Sequence, residues 1–158
     1  MISTQVLQGA FPILGTLFVV WLTARFISIR SHQDKVWLRK SDAYGHILEA
    51  VTEIRNWYDV NREDEHHSRE PDEETRVARD KLFAEARRRL AGTVAREAWL
   101  LPESVQQEIE RLNLALSERH DFWYGHIDGC YFASNRSRAI IEEIAKEDMK
   151  RPAFFSFS

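Results

Sequence analysis

Met1 to Ala24 carries no charged side chain, and Val6 to Ile29 reads VLQGAFPILGTLFVVWLTARFISI. As a helix, that stretch would span roughly 36 Å at about 1.5 Å per residue, enough to cross a hydrocarbon core of about 30 Å with some tilt. Gln8 lies one turn from its start. Arg25 lies near its end, where a long stem stays in the apolar region while the guanidinium reaches the headgroups. Pro12 and Gly15 are tolerated in membrane helices. No Lys or Arg precedes the apolar run, and it continues into Arg-Phe-Ile-Ser-Ile-Arg, which disfavours a cleaved signal peptide. A buried helix of a soluble domain would be shorter and more evenly amphipathic. The pattern therefore predicts a retained single transmembrane anchor over residues 1–30.

Beyond it the periodicity becomes helical and amphipathic. Trp37, Tyr44, Val51 and Tyr58 recur every seven residues, with Ile47 and Ile54 three after Tyr44 and Val51, and Leu48 widening the stripe. This predicts a helix from Ser31 to Asn61, packed in the chain's own bundle in preference to a self-associating stalk. Val60 to Glu74 (VNREDEHHSREPDEE) holds seven acids and has no apolar face, so it is expected to be a solvated connection or a frayed helix end. Ser68 and Pro71 mark a new helix start, with the acids Asp72, Glu73 and Glu74 suited to its N-terminus. The next helix is expected from Asp72 to Leu100, with the stripe Val77, Phe83, Ala86, Leu90, Val94 and Ala98. Pro102 opens another, striped by Val105, Ile109, Leu112, Leu116 and Trp123. A last helix from Asp121 to Met149 rests on Ile140, Ile141 and Ile144, with Gly125 and Gly129 as candidate kinks. The tail from Pro152 to Ser158 is short and apolar.

No strand is required, so the expected fold class is all-α: one transmembrane helix, then an antiparallel cytoplasmic bundle of about four helices over residues 31–151. Six glycines and four prolines in 158 residues agree with long helices. Charge sets the expected topology. Arg25, Arg30, Lys35, Arg39 and Lys40 follow the apolar run against one acid, Asp34, which points the N-terminus outward and the bundle into the cytoplasm, at the cell membrane. With Trp21 and Trp37 these residues form the expected membrane-interface set, in contact with the lipid bilayer. All 25 acids, but only 20 of the 22 basic residues, lie beyond residue 30, so nucleic acid is an unpromising partner.

Candidate chemistry is sparse. The single cysteine, Cys130, excludes an intrachain disulfide and a multi-cysteine zinc site. His66-His67 sits in the charged connection, and His126 and Cys130 share a helix face, but neither pair supplies a metal ligand set. His46 and Glu49 reverse the order that a di-iron bundle uses. No metal and no cofactor is expected. Arg87-Arg88-Arg89 is the densest basic feature. Three successive helical residues fan over about 200°, so they suit a solvated face that pairs with the acidic connection, or a lipid or partner contact. No phosphate loop or nucleophile elbow is present.

Arg119-His-Asp-Phe-Trp-Tyr-Gly-His126 resembles the Arg…His motif of the HEPN family of small helical ribonucleases, over that motif and the fold class alone. The resemblance implies that His126 would act on a 2′-hydroxyl and Arg119 on the phosphate. Arg25 with His32, Arg39 with His46 and Arg62 with His67 show similar spacing, so the motif discriminates weakly. The expectation favoured over this membrane-tethered ribonuclease, and over an oligomeric membrane-disturbing subunit, is a protein-interaction or self-assembly module without catalysis. It would meet a protein partner or form a homo-oligomer at the membrane face, with leftover aromatic surface in the Trp123–Phe132 segment and the Phe-rich tail as the candidate contact.

Overall fold

The computed structural model describes the backbone of residues 4–118 and 122–150, and the side chains of residues 33–118 and 122–150. Within them lie four helices and no strand: α1 Thr4–His66, α2 Glu73–Glu97, α3 Glu103–Ser117 and α4 Trp123–Asp148. The chain divides into two compact units, Met1–Arg39 and Lys40–Ser158. The first contains the N-terminal part of α1. The second is the bundle.

The heptad stripe of α1 is the bundle's main apolar face. Tyr44, Ile47, Val51, Ile54 and Tyr58 are buried, joined by Ala43 and Ala50. Each buried aliphatic side chain of this size stabilises by about 1.5–3 kcal/mol. The other helices contribute Ala86 and Leu90, then Leu101, Val105, Ile109, Leu112 and Leu116, then Ile127, Cys130 and Ile141. Side-chain bonds give the directions. Trp57 and Tyr58 meet Phe83 at ring-centroid distances of 4.6 and 5.6 Å, and Arg79 reaches back to Asp64 at 2.6 Å, so α1 and α2 are antiparallel. Tyr58 meets His126 while Lys40 binds Asp148, so α1 and α4 are antiparallel too. Ser137 donates to Glu108 at 2.7 Å and the Cys130 thiol lies 3.7 Å from the Ala115 carbonyl, which sets α3 against α4 in the same sense.

Three expectations need correction. The charged stretch from Val60 does not break the helix, because α1 runs on to His66. Its polar residues bond to neighbours where an apolar face would have packed. Asn61 donates to the Trp57 carbonyl at 2.7 Å, and Asp64 holds Arg79. The Arg62 guanidinium lies 4.2 Å over the Tyr131 ring and 3.6 Å from Asp128. Val77 is 56% exposed and outside the core, where α2 instead buries Thr93 beside Ala86 and Leu90. Trp123 opens α4 and does not extend the stripe of α3.

The end of α1 is sharply made. Arg69 N–H donates to the Asp64 carbonyl at 2.8 Å and Ser68 N–H to that of Glu65 at 3.1 Å. This is the paired closure of a Schellman turn, with Ser68 in the left-handed position at φ 50. Asp72 then caps α2, its carboxylate accepting from the Thr75 N–H at 2.8 Å and hydroxyl at 2.9 Å. Those two bonds, the backbone one first, hold the Asp72 carboxyl below the usual carboxylate range.

A side chain in the left-handed region costs roughly 1–2 kcal/mol that glycine does not pay. Ser68→Gly is therefore expected to raise the urea midpoint, by a stability gain of up to about 1 kcal/mol once glycine's greater freedom in the unfolded chain is set against it. An unchanged or lower midpoint would show that the serine is not strained there.

Candidate functional site

The sequence directs attention to the start of α4. His126 is half-buried there. Its ring lies 6.3 Å from that of Tyr58, nearly edge-on, and 6.1 Å from that of Trp123, with the Cys130 sulfur 3.7 Å from its ring nitrogens. The i,i+4 spacing of His126 and Cys130 places both on the α4 face turned toward α1. Tyr58 hydrogen-bonds with Cys130, and burial first, then the neighbouring thiol, push the Tyr58 hydroxyl well above the usual tyrosine range. Burial pushes the Cys130 thiol up as well. A thiol in this state is a poor nucleophile. The group is thus built as packing, with its polar atoms turned on one another.

Arg119, the intended partner of His126 in the ribonuclease reading, lies outside the described residues. The resemblance therefore gains no geometry. Among the described residues no group of three or more His, Cys, Asp or Glu is placed to hold a metal ion.

The arginine triplet divides as helical geometry requires. Arg87, Arg88 and Arg89 are all exposed. Arg89 pairs with Glu53 of α1, and Arg88 donates to the Ala84 carbonyl of its own helix at 3.4 Å. Arg87 acts electrostatically on Tyr58 and Cys130. With Arg79 on Asp64, the basic face of α2 is in part the electrostatic complement of α1.

Of the expected membrane-interface residues, Trp21, Arg25 and Arg30 have side chains outside the described set. Lys35 and Arg39 are exposed and Trp37 is half-buried. Lys40 is bound within the bundle, its ammonium 2.7 Å from Asp148. The Tyr44 hydroxyl donates to the other Asp148 oxygen at 2.6 Å. A carboxylate at a helix C-terminus opposes the helix dipole, and the two donors from α1 offset that cost. Among the described residues no helix is long and apolar enough to cross a membrane. The anchor expected over residues 1–30 lies outside the described side chains.

One feature escaped the sequence reading. Glu108 is 4% exposed between α3 and α4, accepting from Ser137 at 2.7 Å and from Arg111 at 3.2 Å. It lies three residues after Val105, on the apolar stripe, and that position was its only signal. The aromatic segment at the start of α4 is exposed at several positions. Phe122, Trp123, Tyr124 and Phe132 are 79, 57, 47 and 58% exposed. Trp123 also lines a polar cavity of about 650 Å³ with Asn61, Asp64, Arg69 and Arg76. A smaller groove of about 300 Å³ lies between α1 and α2, walled by Trp57, Val60, Leu82 and Phe83. No protein family, curated protein or solved structure matches this chain.

The buried tyrosines make stability depend on alkaline pH. Burial, and then the hydrogen bond to Asp148, hold the Tyr44 hydroxyl far above its unfolded value near 10, and Tyr58 behaves alike. The native state keeps protons that the unfolded chain loses, so this contribution is complete below about pH 10 and falls as pH rises beyond it. Urea midpoints are expected to decline above pH 10, and Tyr44→Phe to decline less steeply. Equal slopes for the two proteins would refute the role of Tyr44.

Proposed function

We propose that this chain is a membrane-anchored helical bundle acting as a protein-interaction or self-assembly module, with residues 1–30 as a single-pass anchor and the bundle on the cytoplasmic side. The observation that carries this reading is the exposed aromatic run Phe122-Trp123-Tyr124. Monomeric soluble proteins seldom leave contiguous large apolar surface open to water, and aromatic side chains are the commonest anchors of protein interfaces. This run lies at the end of the bundle near Asn61 and Asp64, opposite the end that holds Lys40 and Asp148. A partner would be met at that aromatic end. Confinement to the bilayer would raise the local concentration of that encounter without adding a contact. The uncharged run to Ala24, with the basic residues after it, supports the anchor and its direction.

Two measurements test the reading in cells producing the full chain. Carbonate-washed membranes are expected to retain it and to release a form lacking residues 1–30. A photoreactive group at Tyr124 is expected to form a protein adduct, with the same chain or another, that is lost on Phe122→Ser/Trp123→Ser. The same group at Arg88 is expected to form none. Release of the intact chain by carbonate removes the anchor, and adducts with lipid alone at Tyr124 remove the interaction surface.

A further inference from the structure

The outer side of α4 carries a second seam on the three-four period of α1, left uncovered by the described residues. Phe122, Gly125, Gly129, Phe132, Arg136 and Ala139 follow one another at steps of three and four, and all six are exposed. The two phenylalanines are 79 and 58% exposed. α4 runs from Trp123 to Asp148 through both glycines, so neither ends it. A glycine inside a helix weakens it relative to alanine. Gly125 gains nothing in return within its own chain, since a Cβ there would meet nothing within 4 Å. Its missing side chain leaves a hollow on the seam, two turns before Phe132.

That order is self-complementary. Two copies of α4 set antiparallel, about a two-fold axis midway between Gly125 and Phe132, place each Phe132 over the other copy's Gly125. Arg136 then approaches the start of the other copy's α4, where Glu118 caps α3 near enough to act on the Cys130 thiol. Arg136 and Glu118 are both exposed, and neither has an ion pair among the described residues. A parallel pair would instead set Arg136 against Arg136 and Phe132 against Phe132, with both hollows empty. At 79, 47 and 58% exposure, Phe122, Tyr124 and Phe132 leave roughly 280–460 Å² of aromatic surface on each copy, a large part of the about 800 Å² that each partner of a standard interface buries.

From this fit, and resting on the interaction surface proposed above, we infer that the partner met at the start of α4 is a second copy of this chain, docked antiparallel through Gly125, Gly129 and Phe132, with Arg136 paired to the second copy's Glu118. A foreign protein would need only a ring to insert or only a hollow to fill. A seam holding both, with opposite charges at matching distances, suits its own copy, because a two-fold contact uses the same patch twice. The glycines let the two backbones come close enough for the ring to fill the hollow.

The test uses the full chain in detergent micelles, with a nitroxide on Ala139→Cys and the distance between labels read by pulsed electron paramagnetic resonance. Cys130 is buried, and its raised thiol labels slowly at neutral pH, which the unsubstituted chain controls for. In the antiparallel pair the two labelled positions stand about 30 Å apart along the helices, whereas a parallel pair brings their backbones within about 10 Å. Gly125→Leu favours the helix and meets nothing in its own chain, so it is expected to keep the fold yet cut the dipolar signal at least about threefold, as is Phe132→Ser. Arg136→Glu is expected to weaken the signal, and Glu118→Arg in the same chain to restore it. A short distance, or a signal that Gly125→Leu leaves unchanged, overturns this pairing. No dipolar signal overturns the second copy as partner, and the interaction surface still stands where Tyr124 forms adducts with a different protein in cells. Adducts with lipid alone remove both.

Discussion

The bundle depends on covering one apolar seam. Tyr44, Ile47, Val51, Ile54 and Tyr58 follow one another along α1 at alternating three- and four-residue steps, and all are buried. An isolated helix with that face would expose its largest hydrophobic surface to water, and burial of the face is what outweighs the entropy of fixing the chain. The second helix brings little of its own, since its buried residues are Ala86, Leu90 and Thr93. Its place comes from ion pairs and rings reaching α1: Arg79 on Asp64, Arg89 on Glu53, and Phe83 between Trp57 and Tyr58. The third and fourth helices join more tightly, with Ser134 and Ser137 small enough to let them approach and Glu108 placed between them.

That division explains what could be read from the residues alone. The α1 seam and the stripe Val105, Ile109, Leu112, Leu116 were legible because large aliphatic side chains mark the period directly. The fourth helix was read from Ile140, Ile141 and Ile144, yet its buried face is Ile127, Cys130, Ser134, Ser137 and Ile141. Small polar residues on the correct period escape a hydrophobicity count because they are buried for their size. Their hydroxyls are satisfied locally, as Ser134 is by the Cys130 carbonyl at 2.8 Å. The charged end of α1 misled for the opposite reason. With no apolar face it was expected to be a solvated connection or a frayed helix end, but hydrogen bonds, ion pairs and the stack of Arg62 on Tyr131 supply partners that no periodicity records. Glu108 belongs to the same class, since its burial depends on Ser137, 29 residues away in sequence.

The candidate site was legible only in part. His126 was singled out for its spacing from Arg119. Its surroundings are two aromatic rings and a thiol, an assembly that rests on Tyr58 from another helix. The exposed aromatics beside it could be named from the sequence but not weighed, since exposure is a property of the fold. In an isolated helix Trp123 and Trp57 are equivalent, and here one is 57% exposed while the other is packed against Phe83.

An antiparallel bundle turns chain order into position. Because α1 and α4 run in opposite directions, Lys40 and Asp148 meet although 108 residues separate them, and the two ends of the bundle take different characters. At one end lie Lys40, the Trp99 turn and the last residues of α4. At the other lie the Ser68 turn and the aromatic start of α4. The Asp148 contact is small, one carboxylate with two donors, but it ties the C-terminal end of α4 to Lys40 and so decides which aromatic residues stand near Lys40 and which stand at the far end of the bundle.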